Sequence, residues 1–226
     1  MYKHRLLWTG NEKEYFYISA GILLAAAIYV SLPYYARQAL IHLMPVIDDL
    51  NTFHRDTVHN TPSAVWFWPH TNDYNRHRLS PEDSAYLDEL KTVAFLVIQH
   101  DSIVFESYRN GWNDSLTSNI YSATKTIVGL LAGIALDEGK IHNLDDPVST
   151  YIPQYTKGKQ KEVTVRNLLT MSAGMDWDES YASLFSVTTH GYYGNDLYKL
   201  VTELDVNEQP GIQYSYRSGE TQLLAF

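Results

Sequence analysis

Two side chains with complementary chemistry, Ser122 and Lys125, lie three residues apart in this sequence. Residues with this spacing are neighbours on one face of a helix, so the two side chains can touch. A serine hydroxyl becomes a nucleophile when a base takes its proton, and a lysine can be that base if burial keeps it neutral. The pair Ser-x-x-Lys is common by chance, so its weight depends on the surrounding sequence. We interpret Ser122 as a candidate nucleophile and Lys125 as its base.

The residues after Lys125 predict the helix that carries this pair. The stretch 126–136 is apolar on nearly every face, which is typical of a helix buried in the middle of a domain. Gly139 is the expected C-terminal cap of this helix. Backbone N–H groups and the positive end of the helix dipole would stabilise an oxyanion at its start and lower the pKa of the lysine.

Several downstream segments, in the same order, resemble the serine β-lactamase-like hydrolases. This family includes class C β-lactamases, D-alanyl-D-alanine carboxypeptidases and related esterases and amidases. The run Leu-Leu-Thr-Met-Ser-Ala-Gly-Met-Asp-Trp-Asp-Glu, residues 168–179, is most similar to the branch that holds 6-aminohexanoate-dimer hydrolase. The resemblance covers about residues 95–226, and the segments that carry it are Leu144–Val148, Val163–Gly174, Pro210–Gly211 and Tyr216–Gly219.

The resemblance implies an α+β fold of the β-lactamase/transpeptidase type, in which helices flank an antiparallel sheet and a helical lobe is added. Residues 80–226 would form the N-terminal part of this domain. Local patterns predict its elements, which are a helix from the N-cap Ser80 to about Leu90, a hairpin of Val93–Gln99 and Ile103–Tyr108, a short helix over Thr164–Met171, and a loop over the cleft at Tyr181–Tyr198.

The family's second motif, Tyr-x-Asn or Tyr-x-Ser, places a tyrosine opposite the nucleophile. Three matches in this chain begin at Tyr108, Tyr181 and Tyr216. Only Tyr216 follows Pro-Gly and precedes Ser-Gly-Glu-Thr-Gln, as in the family, so the resemblance implies that Tyr216 is the catalytic proton shuttle. Tyr108 is expected to be structural. Tyr181 and Ser218 are candidate substrate contacts.

The implied reaction is hydrolysis of a small ester, amide or peptide through an acyl-enzyme on Ser122, with no cofactor and no metal. The family's third motif, Lys-Thr-Gly or His-x-Gly on a strand that supplies an oxyanion donor, does not occur after Tyr216. A second hypothesis therefore stays open. The chain could be a non-catalytic relative that binds cell-wall peptides or a partner protein.

Composition excludes other classes of function. The formal net charge of −9 argues against a nucleic-acid partner, and the absence of cysteine excludes disulfides and cysteine-ligated metals. Five histidines lie in the stretch 42–77, at positions His42, His54, His59, His70 and His77. Their spacing matches no familiar metal site, so we assign this stretch no chemistry.

A stretch of 22 residues without a charge, Tyr15–Ala36, precedes the hydrolase-like region. As a helix it would be about 33 Å long, enough to cross a hydrocarbon core of roughly 30 Å. Lys3, Arg5 and Lys13 come before it, and this bias predicts a cytoplasmic N-terminus. We expect an uncleaved anchor at 15–36 after a cytoplasmic segment 1–14, then a linker at 37–79 and a hydrolase domain outside the cytoplasm. A signal peptide and a buried core helix are the alternatives.

The last residues, Thr221–Phe226, correspond to the interior of a helix in the family. No cap or polar tail ends that helix here. The resemblance also implies that further sheet strands come from sequence beyond this point, and a two-stranded sheet is marginal by itself. We therefore expect the 226 residues to be a fragment or a truncated product that alone neither folds stably nor hydrolyses a substrate.

Overall fold

A computed structural model of the chain describes residues 10–47, 49, 52–53, 57–59, 63 and 66–226. The chain divides into two compact units. One contains the residues up to Pro45 together with Ile120–Phe226, and the other contains Val46–Asn119. The helices are α1 Gly10–Ser31, α2 Tyr34–His42, α3 Pro81–Glu89, α4 Thr124–Asp137, α5 Val165–Leu169, α6 Val187–Tyr193, α7 Leu197–Glu203 and α8 Ser218–Leu224, and the strands are β1 Ala94–Gln99 and β2 Ser102–Tyr108.

The predicted membrane segment is not one helix, because α1 ends at Ser31 and α2 begins at Tyr34. Pro33 separates the two helices, since it has no N–H to donate and its ring would clash with the carbonyl four residues earlier. Within the described residues, one stretch, Lys13–Ser31, is long and apolar enough to cross a membrane, and none of it is buried. An anchor and a signal sequence both fit this description. Most of the predicted cytoplasmic segment 1–14, and His54, lie outside the described residues.

The unit 46–119 contains α3 and the hairpin, both close to their predicted positions. Ser80 caps α3, and its Oγ accepts a hydrogen bond from the N–H of Asp83 at 3.0 Å. β1 and β2 pair antiparallel, with a bulge between Val97 and Ile98. His100 and Asp101 join them with φ angles of 49° and 57°, as expected for a two-residue turn that follows the twist of the strands.

The helical lobe, which we define as residues 144–226, has a hydrophobic core of its own. Tyr155, Met175 and Leu223 are almost wholly buried in it. The core contains Val148, Ile152, Tyr155, Val163, Leu168, Ala173, Met175, Trp177, Val201, Val206 and Leu223. Side chains from α5, α7 and α8 and from the loops between them thus form one packed cluster.

Capping residues explain where the short helices of the lobe begin. The Oγ1 of Thr164 accepts from the N–H of Asn167 at 3.2 Å, and the N–H of Thr164 donates to the Oδ1 of Asn167 at 3.0 Å, so α5 starts where the sequence predicted. Ser186 caps α6 in the same way, accepting from the N–H of Thr189 at 3.1 Å. The prediction of a loop throughout Tyr181–Tyr198 is therefore wrong, because a helix forms within it.

The helix α4 differs from its prediction in burial. Its end is as predicted, since Gly139 has a φ of 70° and the N–H groups of Gly139 and Lys140 donate to Leu136 and Ala135, which is a Schellman motif. Ala132 is its one buried residue, however, and Ile127, Leu130, Leu131 and Ile134 are about half exposed or more. The prediction of a buried helix is wrong for the described chain, because its neighbouring elements cover only a narrow stripe of α4.

Candidate active site

Three side chains that the sequence singled out converge at the start of α4. The Oγ of Ser122 accepts a hydrogen bond from the Nζ of Lys125 at 3.0 Å and from the hydroxyl of Tyr216 at 2.7 Å. The Nζ of Lys125 also lies 5.0 Å from the ring centroid of Tyr216, within the range of a cation–π contact. The amine of Lys125 and the phenol of Tyr216 are thus both held within proton-transfer distance of the Ser122 hydroxyl.

The local backbone explains how Ser122 is presented. Tyr121–Ala123 form a single 3-10 turn that leads directly into α4, so Lys125 lies one turn after Ser122. Tyr121 has a φ of 43°, which costs a non-glycine residue roughly 1–3 kcal/mol and is often found at functional sites. Ser122 is exposed and Lys125 half-buried, so the described chain leaves the nucleophile open to solvent and does not enclose the lysine as burial of α4 would.

Tyr216 reaches Ser122 from 94 residues further along the chain because the segment before it is tied to the loop after α5. The N–H of Gly211 donates to the carbonyl of Ser172 at 2.8 Å, and the N–H of Ser215 donates to that of Met171 at 2.9 Å. These two bonds fix the segment that leads to Tyr216. The serine is therefore held by α4 and the phenol by the helical lobe.

The carboxylate of Glu179 holds the lobe side of the site together. One oxygen accepts from the backbone N–H of Ser218 at 2.9 Å and from the indole N–H of Trp177 at 2.8 Å. The other accepts from the hydroxyls of Ser218 and Tyr181, the latter at 3.1 Å. Because Ser218 starts α8 two residues after Tyr216, Glu179 also restrains the backbone next to the proton-shuttle candidate.

The two candidate substrate contacts, Tyr181 and Ser218, are both bonded to Glu179. Tyr181 remains about half exposed. Partial burial, followed by the nearby charge of Glu179 and its hydrogen bond, raises the pKa of Tyr181 to about 12. Tyr181 is therefore a neutral hydrogen-bond donor at physiological pH. Its contact with substrate, and that of Ser218, stay predictions.

Trp177 packs the lobe tightly beneath these residues. A Cβ on Gly219 would lie 2.4 Å from Cε3 of Trp177, and one on Gly191 would lie 2.6 Å from its Cη2. Both distances are far shorter than a van der Waals contact. The indole is thus enclosed between α6 and α8 at positions where only glycine fits, and this close packing fixes the start of α8 next to Tyr216.

The residue after Tyr216, Arg217, forms a cluster of charged side chains with Glu208 and Glu220. The Nη2 of Arg217 donates to Glu208 at 2.5 Å, and its Nη1 lies 3.6 Å from the carboxylate of Glu220. Glu220 is fully buried and also accepts from the N–H of Ala173 at 3.1 Å. Burial raises the pKa of Glu220, while its bonds to Ala173 and the charge of Arg217 oppose that rise. Neighbouring Tyr155 is buried as well, and burial raises its pKa.

The remaining positions named from the sequence are Tyr108 and the histidines of the stretch 42–77. The hydroxyl of Tyr108 donates to Glu106 at 2.9 Å, in the unit 46–119. Across the residues that the structure describes, no group of three or more histidine, aspartate or glutamate side chains is arranged to hold a metal ion.

Sequence reasoning gave no role to Glu179, Trp177 or Glu220. Glu179 and Trp177 do belong to the run 168–179 that carries the family resemblance. Glu179 is one of three acidic residues at the end of that run, so the sequence offered no signal that separates it from Asp176 and Asp178. Glu220 had only its place two residues after Ser218, which predicts nothing about burial.

Comparison with known proteins matches this arrangement to one family. The Beta-lactamase family model matches residues 84–226. The 6-aminohexanoate-dimer hydrolase of Paenarthrobacter ureafaciens is 28% identical over 157 residues, which are 65% of this chain and 40% of that protein. A solved structure from Bacillus anthracis, assigned as a 6-aminohexanoate-dimer hydrolase, superposes with a TM-score of 0.57 at 20% identity, covering 87% of this chain and 55% of the other.

These matches confirm the predicted resemblance and the α+β fold. The chain spans only about two fifths to just over half the length of the two relatives, so it corresponds to part of them. At 20% identity the structural likeness shows the fold and nothing finer.

Proposed function

As this chain belongs to the beta-lactamase family, we propose that it is the part of a serine hydrolase that carries the nucleophile, and that it acts on ester or amide bonds through an acyl-enzyme on Ser122. The observation that carries the proposal is the hydrogen bonding of Ser122 Oγ to both Lys125 and Tyr216, at 3.0 and 2.7 Å. Similarity to a protein named as a 6-aminohexanoate-dimer hydrolase favours small amides and esters as substrates.

In the first step, Ser122 Oγ attacks the carbonyl carbon of the substrate while its proton passes to Lys125, which acts as the general base. The carbonyl oxygen becomes an oxyanion, for which the backbone N–H of Ser122 is the proposed donor. Tyr216 then gives its proton to the leaving oxygen or nitrogen and is reprotonated from Lys125. The bond to the leaving group breaks, and the acyl group stays on Ser122 as an ester.

The second step repeats this transfer with water. Tyr216 and Lys125 take a proton from a water molecule, which attacks the acyl carbon and releases the acid. The proton returns to Ser122 Oγ. One set of groups thus serves both half-reactions, as microscopic reversibility requires.

We further propose that α1 holds the domain at a membrane, with its bulk outside the cytoplasm. The support is the length and apolar composition of Lys13–Ser31, none of which is buried in the structure. Protease added to intact spheroplasts should then digest the chain after Arg37. Recovery of the whole chain from the soluble cytosolic fraction would contradict the tether.

Labelling with a fluorophosphonate probe tests the nucleophile. The experiment uses the longest natural chain that contains these residues, together with hydrolysis of a nitrophenyl ester. Wild type should be labelled at Ser122, and Ser122→Ala should lose both labelling and turnover. Ser115→Ala, at an exposed serine outside the site, is the matched control and should keep both.

The same experiment decides between the two hypotheses. A folded protein that binds no probe and cleaves no ester would support the non-catalytic binding module instead. If Ser122→Ala retained wild-type turnover, the assignment of the nucleophile would be wrong.

A further inference from the structure

The chain around Tyr216 is attached on both sides to the loop that follows α5. On the N-terminal side, the N–H of Ser215 donates to the carbonyl of Met171 at 2.9 Å. On the C-terminal side, the carboxylate of Glu220 accepts from the N–H of Ala173 at 3.1 Å. One loop therefore restrains the backbone before and after the proton-shuttle candidate.

Arg217, which directly follows Tyr216, connects Glu220 to a further segment of the lobe. Its Nη2 donates to Glu208 at 2.5 Å, and its Nη1 lies 3.6 Å from the carboxylate of Glu220. The side chain of Arg217 is only 8% exposed, so the guanidinium has little access to water. Glu208 is itself tied to the loop after α5, because its N–H donates to the carbonyl of Gly174 at 3.3 Å. The two carboxylates thus restrain the guanidinium and, with it, the backbone next to Tyr216.

The carboxylate of Glu220 is costly for the fold. Glu220 is 0% exposed, and its Oε1 has no hydrogen-bond partner among the described residues, as is also true of the Nη1 of Arg217 and the buried hydroxyl of Tyr155. Burial raises the pKa of Glu220 in spite of its bond to Ala173 and the charge of Arg217, so the ionised form lowers stability. A neutral glutamine would avoid this cost. A buried charge that opposes folding, so close to the reacting groups, is typical of a functional position.

We infer that Glu220 is a positioning residue for the reaction. Through Arg217 it fixes the backbone at Tyr216 and so keeps the phenol within hydrogen-bond distance of the Ser122 hydroxyl, at 2.7 Å. The inference rests on the proposed function and adds to it a residue that touches no reacting atom. The requirement is strict, since a misplacement of about 1 Å can lower a rate by roughly 10²-fold.

The variant Glu220→Gln separates positioning from folding, because glutamine has the shape of glutamate without its charge and leaves Arg217 paired with Glu208 alone. In the longest natural chain that contains these residues, it should lower kcat for a nitrophenyl ester by about 10–100-fold and leave KM within about twofold. At pH 8 its free energy of unfolding in urea should equal or exceed that of wild type, since the charge that burial penalises is gone. Glu203→Gln, at an exposed glutamate of α7, is the matched control and should keep wild-type kcat.

A double-mutant cycle shows whether Glu220 acts through Tyr216. With Tyr216 intact, Glu220→Gln should slow fluorophosphonate labelling of Ser122 by about 10–100-fold, as it does ester turnover. In the Tyr216→Phe background the same change should alter the labelling rate by less than about twofold, because the hydroxyl that Glu220 positions is already absent. Equal losses in both backgrounds would mean that Glu220 acts on the fold in general, and they would overturn the inference.

A second variant, Arg217→Lys, tests the connection between Glu220 and Tyr216. Lysine keeps the positive charge, but a single amine cannot pair with both carboxylates as the fork of a guanidinium does. Arg217→Lys should therefore lower kcat with Tyr216 intact and have no further effect in the Tyr216→Phe background. Wild-type kcat in Glu220→Gln would overturn the inference. A Glu220→Gln chain that does not fold would also overturn it, because Glu220 would then be a residue required for stability.

Fluorine NMR gives a readout that does not depend on catalysis. With 3-fluorotyrosine incorporated at position 216, wild type and Glu203→Gln should give the same fluorine spectrum. Glu220→Gln should give shifted or additional resonances, because the ring is no longer held in one position. An unchanged spectrum in Glu220→Gln would overturn the inference and leave the hydrolase intact. If wild type hydrolyses no ester, the proposed function fails, and the fluorine spectrum then decides the positioning role alone.

Discussion

The helical lobe and α4 contribute different halves of the catalytic centre and are packed very differently. In the lobe, Leu223 and Met175 are only 1% exposed, whereas Leu130 on α4 is 64% exposed. The proton-shuttle candidate Tyr216 is thus supported by a dense core, and Ser122 and Lys125 stand on a helix with little support from the described residues. The positions of the side chains at the site therefore depend mainly on the packing of the lobe.

The largest effect should come from removing the groups that bridge the two regions. Tyr216→Phe and Lys125→Ala should each lower kcat/KM by about 10²–10⁴-fold, the usual contribution of general acid–base catalysis. Fluorophosphonate labelling rates and ester turnover measure this loss. Tyr108→Phe, whose hydroxyl bonds to Glu106, is the control and should leave turnover unchanged. Equal losses at Tyr108 would place the shuttle elsewhere.

Two leucines of equal chemistry and opposite burial test the packing contrast directly. Leu223→Ala should lower the opening free energy of the lobe amides by about 2–5 kcal/mol, because it leaves a cavity. Leu130→Ala should change it by less than about 0.5 kcal/mol, as for other exposed positions. Native-state hydrogen exchange of the 226-residue chain measures both, and a lobe without any protected amides would instead agree with the expectation that this chain alone does not fold stably. Equal losses would mean that α4 is packed in solution, for instance against a second copy.

Substituting one glycine in each region tests the same difference in packing between the lobe and α4. Gly219→Ala should destabilise the lobe by about 1–3 kcal/mol, because the new Cβ would lie 2.4 Å from Trp177. It should also lower ester turnover, since α8 begins next to Tyr216. A Cβ on Gly133, in α4, meets nothing within 4 Å. Gly133→Ala should therefore stabilise α4 by roughly 0.5–1 kcal/mol, and helix content by circular dichroism would reveal it. A stabilising Gly219→Ala would show that the lobe is looser than described.

The smallest expected effect is the pH dependence of the buried carboxylate. Burial raises the folded-state pKa of Glu220 above its ordinary value of 4.5. The folded state then holds the proton more tightly than the unfolded state, so this contribution to stability is full below pH 4.5 and is lost as pH rises through the folded pKa. Glu220→Gln should gain stability relative to wild type over that rise, because glutamine carries no charge that burial penalises.

Urea unfolding between pH 4 and pH 8 measures this difference. Glu203→Gln is the control, because Glu203 is exposed and lies 4.0 Å from Lys199 in a surface pair. A pH-independent difference between Glu220→Gln and wild type would show that the charge of Arg217 fully offsets the burial of Glu220.

Local sequence rules predicted several features of the site correctly. The contact of Ser122 with Lys125 follows from helix geometry, since a spacing of three residues is enough to bring two side chains together. The caps at Ser80 and Thr164 and the end of α4 at Gly139 are equally local, because each needs only a side chain or a glycine and the nearest backbone groups. The hairpin was predicted from two runs rich in β-formers around a short turn.

Longer-range features needed more than local rules. The resemblance to a family chose Tyr216 among three tyrosine matches, and the structure then showed the contact with Ser122. The break at Pro33 was in the sequence but was missed, since the uncharged stretch was treated as a single helix. The loop predicted over Tyr181–Tyr198 ignored the capping serine, Ser186.

By itself, then, the sequence determined what adjacent residues can do to one another, because backbone geometry fixes distances over one or two turns. Only the tertiary structure decided the meeting of Ser122 with Tyr216 and the bonding of Glu179 to Ser218. Each of these joins segments that are tens of residues apart. Their contact depends on how side chains fill a shared core, which no local spacing encodes.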